Sequence, residues 1–562
     1  MNNPKPKFNL QWYQNEDLYS EGDIEDLILQ IIRENEPENY SEAIYSNYCW
    51  STYYHLTPLR KNIINWYPFH SEAEVLEIGC GMGAVTGVLC DKCKSVTAVE
   101  LSKRRATGTL WRCREKENLE IIVGNLNDIK FDKKFDYITL IGVLEYQGDY
   151  TNTENPYLDF LINIKKLLKP DGKLLIAIEN QFGLKYWCGA REDHNGVPFS
   201  GINHYMFDDN NMRTFSKAAL DKLIKASGFQ NTYFYYPLPD YKVPFVIYSE
   251  RYLPRNETLE NMQCYYAPDN KTLIAHEENL YKDIIENQVF EFFANSFLVE
   301  CTDTNDYGTI TFACLNSERL PEYQIATRLY AKKQVEKMAL SKEKGQNHIQ
   351  QIMRNQEDLE RRGLKVWKYR MLDGSIASDY TEAVLWEDVF LECCRHKEIE
   401  RAYGMIDMLF DEIYKSSDEA PWEDNIMYQL MPDIKPDKEK YGPILQTGYL
   451  DLIFKNAFWI DGQVYWFDQE WLLENIPAKY IVYRALKDIY AYKAKEEINK
   501  MLPIQDVARR YGLQRDLIQD IEKLDDLFLK SVMDWKHLMA SNGFRAVDYG
   551  IYVKNINKLL TI

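Results

Sequence analysis

The chain has 562 residues, more than one hydrophobic core supports, so its length predicts two or more domains. Hydrophobic residues make up 45% and charged residues 27%, an ordinary globular composition that excludes a large disordered or collagen-like part. The formal net charge of −19 opposes a general role in nucleic-acid binding, because neutralising phosphates requires a cationic surface.

Compartment and membrane association follow from apolar runs and cysteines. The longest apolar run, near residues 138–144, is far shorter than the roughly 18 to 20 residues of a membrane helix, and the N-terminus lacks the apolar core of a signal peptide. The 11 cysteines are scattered without a disulfide framework. We therefore expect a cytoplasmic protein without a transmembrane segment. Cys90 and Cys93 form a lone C-x-x-C, which we interpret as two buried small residues because no further zinc ligands lie nearby.

Residues 75–248 alternate short apolar runs with helical stretches. The pattern predicts strands at 75–79, 96–101, 119–125, 135–144 and 173–179, with helices at 84–93, 102–118 and 158–169. This alternation is typical of βαβ units and of a mostly parallel sheet. The sequence therefore predicts a doubly wound α/β domain over 71–255, preceded by an N-terminal helical extension over 1–70 that caps its site.

The rest of the chain reads differently. Residues 256–294 are polar and acidic without strand alternation, and we interpret them as a linker. A second domain is expected over 295–562, with strands at 297–301, 309–315, 324–330 and 334–340, a charged helix at 348–362, and mainly helices after it.

The strongest local signal is a buried strand that runs into a glycine-rich turn, Val75–Ala84. Glycine permits the turn and lets a ligand approach the backbone, while the following helix offers free N–H groups. The next strand ends in Glu100, where a carboxylate can accept ribose hydroxyls. Because Gly79, Gly81 and Ala84 also satisfy the dinucleotide pattern G-x-G-x-x-G/A, the glycines alone leave a nicotinamide site open.

The motifs around this turn carry a family resemblance. Glu77, Gly124-Asn125, the strand FDYITLIGVLEY and the segment LLKPDGKLLIAIE follow in the order found in class I S-adenosylmethionine-dependent methyltransferases, and the resemblance covers about residues 71–250. It implies a seven-stranded, Rossmann-like sheet. It also implies the following cofactor-binding residues: Glu77, Gly79, Gly81 and Gly83 at the methionine and ribose, Glu100 at the ribose hydroxyls, Asn125 at the adenine in place of a common Asp, and Ile141 and Gly142 beside the cofactor.

Candidate acceptor-binding residues follow the fourth and fifth strands, because ligands of open α/β sheets bind at the carboxyl ends of strands. Glu145 and Glu179 stand there, and the long polar loop after Glu179 contains Asp193-His194, a pair suited to general-base chemistry. We predict His194 and Glu145 as catalytic residues, although His194 as a loop-fixing residue remains an alternative.

The stretch Tyr53–Arg60 and the loop Gly189–Gly196, together with LIGVLEY, resemble methyltransferases found with bacterial surface-polysaccharide and glycosyltransferase systems. This resemblance implies a glycan or small-molecule acceptor and glycosyltransferase partners from the same pathway.

The C-terminal half contains a second motif. Asp451 and Asn456 stand five residues apart, Asp468 follows a short hairpin, and Lys337 ends an apolar-alternating segment before a helix. Over about residues 295–500 this order resembles protein-kinase-like phosphotransferases of α+β fold. The resemblance implies Mg-ATP, with Asp451 as base, Asn456 and Asp468 as metal ligands, and Lys337 on the phosphates.

This second resemblance has departures. A glycine-rich phosphate loop is missing, Asp468-Gln469-Glu470 replaces Asp-Phe-Gly, and Glu343, Glu357 and Glu360 are all available to pair with Lys337. An inactive kinase-like domain, or an unrelated helical domain in which Asp451 and Asn456 are turn residues, therefore stays open.

Together, the motifs predict an S-adenosylmethionine-dependent methyltransferase that O-methylates a glycan-linked acceptor in bacterial surface-polysaccharide biosynthesis and carries a C-terminal phosphotransferase. Two alternatives remain at this point. One is a nicotinamide-dependent oxidoreductase, and the other is a non-enzymatic glycan-binding scaffold with an inactive kinase-like domain.

Overall fold

The structure is a computed structural model that describes residues 4–17, 19–206, 211–255, 259, 262, 264–265, 271–492, 495–544 and 549–560. Most of 256–270, the first part of the expected linker, lies outside the described residues. The chain divides into two compact units. The first comprises Met1–Glu318, Ala326–Lys332 and Asp534–Ile562, and the second comprises Arg319–Ile325 and Lys333–Met533.

The first unit is built on a twisted sheet. In chain order its strands are β1 (Lys7–Trp12), β2 (Glu74–Ile78), β3 (Ser95–Glu100), β4 (Leu119–Gly124), β5 (Phe135–Ile141), β6 (Leu168–Glu179), β7 (Asn231–Leu238), β8 (Val246–Ser249), β9 (Ser296–Thr302), β10 (Ile310–Leu315) and β11 (Ile325–Tyr330). Their spatial order is β1-β4-β3-β2-β5-β6-β9-β7-β8-β10-β11. The pairings from β1 through β6 are all parallel, whereas β9 is antiparallel to both β6 and β7.

The predicted parallel sheet is confirmed, because β2 to β6 occupy the five predicted strand segments. Seven strands, from β4 to β7 in spatial order, form the doubly wound core. Their residues are buried in near-continuous apolar runs, as expected for strands covered on both faces.

Two expectations about domain limits differ from the structure. Residues 1–70 are not only helical, since β1 pairs with β4 at the sheet edge. The expected boundary at 295 falls inside the first unit, because β9 hydrogen-bonds between β6 and β7 and is the seventh core strand. The chain reaches it only after an insertion that follows β7, so the strand pattern at 297–301 looked like the start of another domain.

Helices of the first unit cover both faces of this sheet, and four of them precede the core strand β2 in the chain. They are α1 (Ile24–Glu34), α2 (Tyr40–Ser46), α3 (Trp50–Leu56), α4 (Asn62–Asn65), α5 (Thr86–Lys92), α6 (Lys103–Arg112), α7 (Gln147–Tyr150), α8 (Pro156–Leu167), α9 (Leu184–Trp187), α10 (Lys217–Ala226), α11 (Tyr281–Glu286) and α12 (Phe290–Phe293). Ser102 caps α6 by accepting a hydrogen bond from Arg105 N at 3.3 Å, which satisfies a free N–H group of the first turn.

The second unit has short strands and longer helices. Its strands are β12 (Gln334–Ala339), β13 (Arg370–Leu372), β14 (Ser375–Asp379), β15 (Val384–Leu385), β16 (Glu419–Ala420), β17 (Ile444–Tyr449), β18 (Ala457–Ile460), β19 (Gln463–Trp466) and β20 (Leu472–Pro477). Its helices are α13 (Lys342–Arg361), α14 (Trp386–Arg395), α15 (Ile399–Lys415), α16 (Ile426–Leu430), α17 (Lys438–Tyr441), α18 (Ala478–Tyr492), α19 (Lys495–Met501), α20 (Ile504–Arg510) and α21 (Arg515–Val532).

Three small antiparallel groups organise this unit: β12-β14-β13, β15-β18-β19 and β16-β17-β20. The helices after residue 362 were expected, but the short strands between them were not predicted apart from the hairpin of β18 and β19. Aromatic and aliphatic side chains of α14, α15 and α18 form one apolar core with β17 and β19.

The last two helices, α22 (Trp535–Asn542) and α23 (Tyr549–Leu560), belong to the first unit. Ser41 donates to Asp534 Oδ2 at 2.5 Å, and Thr57 Oγ1 lies 2.7 Å from His537 Nε2, so the chain end packs on α2 and α3. The expectation that the second domain continues to residue 562 therefore differs from the structure. Among the described residues, no helix combines the length and the apolarity that crossing a membrane demands.

Candidate active site

A cavity of about 580 Å³ opens at the carboxyl ends of β2, β3, β5 and β6 in the first unit. This is the place where open α/β sheets bind ligands. Eight of the predicted site residues line this cavity. Six belong to the predicted cofactor-binding residues: Glu77, Gly79, Gly81, Glu100, Ile141 and Gly142. The other two are the predicted catalytic residues Glu145 and His194. The fold therefore brings most of the cofactor-binding residues and both catalytic residues predicted for the first unit to one cavity.

The turn after β2 presents backbone to this cavity. Gly81 has a φ of +55°, and a Cβ there would meet only Arg105 Nη2, at 3.8 Å, so the space in front of it is open. Its N–H donates to Glu100 Oε2 at 2.8 Å. Gly83 faces away from the cavity: with a φ of +76°, its Cβ would lie 3.0 Å from Thr109 Cα on α6. Gly83 thus permits close helix packing, and its predicted place at the methionine and ribose stays a prediction.

Glu100 is anchored by main-chain donors at the end of β3. Besides Gly81 N, it accepts a hydrogen bond from Ser102 N, at 3.1 Å to Oε1. Arg105 lies over the Tyr19 ring at 4.7 Å and comes within 3.4 Å of Glu21, so this end of the cavity has both charge signs. Two backbone N–H groups hold the Glu100 carboxylate in one orientation.

Glu77 is a buried carboxyl in the floor of the cavity. It lines the cavity, and among the described residues its Oε2 atom has no hydrogen-bond partner. Burial raises the pKa of Glu77 to about 7. A cationic ligand group placed beside it would satisfy this oxygen and restore the charged form.

Asn125 lies outside the cavity lining. Its side chain caps the turn Leu126–Asp128 by accepting from Asn127 N at 3.0 Å, and it donates to the Tyr150 carbonyl at 3.3 Å. Tyr150 itself lines the cavity. In this structure Asn125 positions a cavity wall, and its predicted contact with an adenine ring stays a prediction.

Three side chains converge on the acceptor side of the cavity. Glu145 stands in the turn after β5, Glu179 ends β6, and His194 lies on the long loop after α9. His194 Nε2 is 3.7 Å from Glu145 Oε1 and 3.8 Å from Glu179 Oε2. Because β5 and β6 are parallel neighbours, their carboxyl ends meet, and the predicted residues come together as expected.

The partner of His194 differs from the one expected. His194 Nδ1 is 2.8 Å from Glu192 Oε1, while the adjacent Asp193 turns away to Lys185 and Lys242 at 2.8 and 3.1 Å. The expected Asp193-His194 pair is therefore replaced by Glu192-His194. Although burial lowers it, the pKa of His194 is raised well above its usual value, because Glu179, Glu145 and Glu192 surround the ring. The free imidazole that a general base requires is thus disfavoured by these carboxylates.

Several residues that line the cavity are not among the predicted site residues. Tyr19, Trp50, Tyr54 and Arg60 reach the cavity from the N-terminal segment, and Tyr241 and Lys242 come from the turn after β7. The expected contribution of Tyr53–Arg60 was a cap, and Arg60 stacks on Tyr54 at 4.3 Å while donating to the Lys242 carbonyl at 3.1 Å. Sequence gave no signal for Tyr241 or Lys242, because neither belongs to a motif.

The predicted residues of the C-terminal half meet in the second unit. Lys337 on β12 forms an ion pair with Asp468, and its Nζ atom lies 3.0 Å from Glu470 Oε1. Arg319 holds the other oxygen of Glu470 at 2.6 Å. Glu343, Glu357 and Glu360 are all exposed on α13, so the partners of Lys337 come from the segment after β19 instead.

Asp451 is buried beside this ion pair. Its Oδ2 accepts hydrogen bonds from Glu470 N and Trp471 N, both at 2.9 Å, and Asn456 donates to its carbonyl at 3.3 Å. Burial and the neighbouring charge of Glu470 raise the pKa of Asp451 to about 7. Lys337, Asp451, Asn456 and Asp468 are therefore gathered in one region, although no described contact assigns their predicted roles.

Comparisons with known proteins concern the first unit. Residues 53–233 match a family model described as a methyltransferase domain. Over 120 residues the chain is 25% identical to the ubiquinone biosynthesis O-methyltransferase of Rickettsia akari (strain Hartford), which covers 21% of this chain and 45% of the relative. It is 36% identical over 107 residues to an uncharacterized methyltransferase of Staphylococcus carnosus (strain TM300), covering 19% of this chain and 47% of that protein.

Among solved structures, the N-methyltransferase NodS from Bradyrhizobium japonicum WM9 in complex with S-adenosyl-L-homocysteine aligns with a TM-score of 0.26 and 13% identity, covering 48% of this chain and 98% of that one. The chain spans about half the length of the curated relatives it matches, 45% and 47% for the two named. The family match does not favour a nicotinamide-dependent oxidoreductase or a non-enzymatic scaffold. The chain contains a class I S-adenosylmethionine-dependent methyltransferase domain.

Proposed function

We propose that this protein transfers a methyl group from S-adenosylmethionine to a hydroxyl oxygen of a glycan or glycan-linked acceptor. The observation that carries the proposal is the single cavity of about 580 Å³ that has the glycine turn and Glu100 on one side and Glu145, Glu179 and His194 on the other. A donor and an acceptor held in one cavity react without the entropic cost of a bimolecular encounter.

The residues present fit this cofactor. The open space before Gly81 lets a ligand approach the backbone, and Glu100 is already oriented by two N–H groups. The unpartnered Oε2 of Glu77 suits the cationic part of the molecule. When bound, S-adenosylmethionine supplies the methyl group, which forms a bond to the acceptor oxygen as its bond to sulfur breaks.

The protein's own contribution is to position the acceptor and take its proton. Glu145 lines the cavity, and its buried Oε2 atom has no hydrogen-bond partner among the described residues, so we assign this carboxylate as the group that takes the hydroxyl proton. Glu192 orients the His194 ring, and Lys242 holds Glu179 from the other side. These contacts keep the group ordered before an acceptor arrives.

Oxygen as the methylated atom and a glycan as the acceptor rest on two observations. The named relative from Rickettsia akari is an O-methyltransferase. The cavity is walled by aromatic side chains, which offer apolar faces with polar edges to a sugar ring: Tyr19, Trp50, Tyr54, Tyr146, Tyr150 and Tyr241. A panel of sugar hydroxyls and phenols, assayed with radiolabelled S-adenosylmethionine, distinguishes a glycan acceptor from an aromatic one.

Calorimetric titration tests the cofactor assignment directly. We expect the wild type to bind S-adenosylmethionine and not NAD, and we expect Glu100→Ala to lose about 100-fold or more in affinity, since two charge-assisted hydrogen bonds organise this carboxylate. Glu117→Ala, at a side chain that is 78% exposed, is the matched control and should bind like the wild type. NAD binding, or unchanged binding by Glu100→Ala, would overturn the proposal.

A second activity is favoured by the ion-pair cluster of the second unit. We propose that this unit is a kinase-like phosphotransferase domain, in which Lys337 contacts phosphates, Asn456 and Asp468 hold magnesium, and Asp451 accepts the hydroxyl proton. The support is that Lys337, Asp468 and Glu470 form one buried cluster next to Asp451. Mg-ATP, when bound, would supply the phosphoryl group.

Nucleotide titrations separate this second activity from methyl transfer. We expect Mg-ATP binding by the wild type, its loss in Asp468→Asn, and its retention in Glu100→Ala. The absence of Mg-ATP binding by the wild type would leave the second unit without phosphotransferase activity while the methyl-transfer proposal stands.

A further inference from the structure

We propose that Glu145, Glu179 and His194 form a binding site for a divalent metal ion at the acceptor end of the cavity. This inference deepens the proposed O-methylation. The role of the ion rests on that proposed function, whereas the binding of the ion depends only on the three side chains. Each offers one ligand atom, and these atoms all lie within 4.8 Å of one another.

The distances suit an ion. Three atoms that lie no more than 4.8 Å apart can share an ion within about 2.8 Å of each, and a small side-chain shift brings this to the ~2.0–2.6 Å of divalent-cation bonds. The closest pairs, His194 Nε2 to Glu145 and to Glu179, are 3.7 and 3.8 Å apart. Both separations exceed the length of a direct hydrogen bond but lie within ion-pair distance, so the space between these atoms is wide enough for an ion.

Unpartnered atoms point to a missing cation. Among the described residues, Oε2 of Glu145 and Oε2 of Glu179 have no hydrogen-bond partner, although both side chains are only 1% exposed. A buried carboxylate oxygen without a donor costs free energy. An ion that displaces the Nε2 proton of His194 would lie between this nitrogen, Glu179 Oε2 and the Glu145 carboxylate, and it would give Glu179 Oε2 the partner that it lacks.

The surroundings of His194 resemble those of metal-bound histidines. Its Nδ1 atom is 2.8 Å from Glu192, which leaves Nε2 directed at Glu145 and Glu179. A carboxylate on the far nitrogen sets the tautomer and raises the ligand strength of the near one. Glu192 is in turn held by backbone N–H groups of His194 and Asn195, at 2.7 and 2.9 Å, so the whole arrangement is rigid.

The ligand chemistry selects among metals. Two carboxylates and one imidazole form a hard, oxygen-rich set that suits Mn²⁺ or Mg²⁺ better than ions that prefer thiolates. The site opens into the cavity, so further coordination positions face the place where an acceptor would lie. A hydroxyl bound to such an ion has a lower pKa than a free one.

Manganese binding tests the site without any assay of methyl transfer. The full chain, stripped with chelator, is titrated with Mn²⁺ alone, and the free Mn²⁺ signal is followed by electron paramagnetic resonance. In the absence of nucleotide we expect the wild type to bind one Mn²⁺ whose affinity is about 100-fold weaker in Glu145→Gln, Glu179→Gln and His194→Ala, whereas Asp468→Asn in the second unit should leave it unchanged. Glu192→Gln, which acts only through the His194 ring, should weaken binding by about ten-fold.

The matched control is Glu117→Gln, at an exposed carboxyl of the same unit that lies outside the cavity lining, which should keep the wild-type Mn²⁺ affinity. Retained S-adenosylmethionine binding by each variant shows that it is folded. A wild type that binds no Mn²⁺, or equal Mn²⁺ affinity in all variants, would overturn the site. If the wild type binds S-adenosylmethionine but not Mn²⁺, the metal site is wrong and the proposed function stands. If it binds Mn²⁺ but not S-adenosylmethionine, the metal site stands and the proposed function is wrong.

Discussion

The two candidate sites balance their charges in opposite ways. In the first unit, the cavity side chains include more carboxylates than cations, and oxygens of Glu77, Glu145 and Glu179 lack partners among the described residues. In the second unit, Lys337 is enclosed by Asp468 and Glu470, and Arg319 completes the pairing. The first site is thus prepared for an added cation, whereas a ligand of the second site must exchange existing ion pairs.

This difference shows how burial can serve two purposes. An unpartnered buried carboxylate lowers stability and is retained where a ligand later satisfies it. A fully paired buried network stabilises the unit only while all its members are present. The two sites should therefore respond in opposite directions when one charge is removed.

The largest effect is expected for Lys337→Met. Removing the lysine leaves Asp468 and Glu470 buried without their shared cation, which should lower the free energy of unfolding of the second unit by about 3 to 5 kcal/mol. Scanning calorimetry measures this as a downward shift of one transition. Lys368→Met, at a side chain that is 71% exposed and paired with Glu360, is the surface control and should change little. If Lys337→Met is as stable as the wild type, Lys337 does not balance the buried charges of Asp468 and Glu470.

Glu77→Gln tests the case of a buried carboxyl without a partner, through the pH dependence of the free energy of unfolding. The folded pKa of Glu77 is about 7, above its ordinary 4.5, so between these values the unfolded chain loses a proton that the folded chain keeps. Wild-type stability should therefore fall as pH rises through this window, and Glu77→Gln should become more stable than wild type by about 3 kcal/mol above it.

Urea unfolding at pH 5 and pH 8 measures this difference, with Glu117→Gln as the exposed control. A stability gap between Glu77→Gln and wild type that stays constant over this range would contradict the buried, unpartnered state of the carboxyl.

Gly81→Val tests whether the glycine turn is the binding surface of the first site. Valine is strained at a φ of +55°, and its side chain would enter the open space in front of the turn. We expect affinity for S-adenosylmethionine to fall by about 100-fold, measured by calorimetry. Gly404→Ala is the matched control, because its Cβ meets nothing within 4 Å, and unchanged affinity in both variants would place the cofactor elsewhere.

The smallest stability effect is expected for Glu145→Gln in chelator. Since Oε2 of Glu145 has no partner among the described residues, losing the charge should change the free energy of unfolding by about 1 kcal/mol or less. Denaturant titration provides the value for comparison with Lys337→Met. A loss as large as that of Lys337→Met would show that Glu145 is already paired, and the contrast between the two sites would disappear.

Periodicity and glycine punctuation were enough to predict the five parallel strands and the cavity edge, because strand alternation and turn chemistry are local properties. Glu77, Gly81 and Glu100 were predicted from the glycine turn and the family resemblance, Glu145 from its place after a strand and His194 from the long polar loop, and all five line the cavity. The packing of Gly83 against α6 could not be predicted, because spacing does not tell which face of a turn a Cβ would point to.

The difference between the expected domain limits and the two compact units has a topological cause. The strand β9 is recognisable as a strand in sequence, but its place between β6 and β7 depends on pairing with residues far away in the chain. The same holds for the return of α22 and α23 to the first unit. Pairing between strands that are distant in sequence leaves no local pattern. A domain boundary predicted from composition therefore falls at a polar segment without strand alternation, and not where the hydrophobic core ends.

By itself, the sequence determined the class of the first domain, the glycine turn, and which strand ends carry carboxylates, since each of these is written in a short contiguous segment. Only the tertiary structure decided which carboxylate faces His194, which acids surround Lys337, and which oxygens remain unpartnered. Those pairings depend on the direction of side chains brought together from separate elements. The direction of a side chain is set by tertiary packing, and it cannot be predicted from residue spacing.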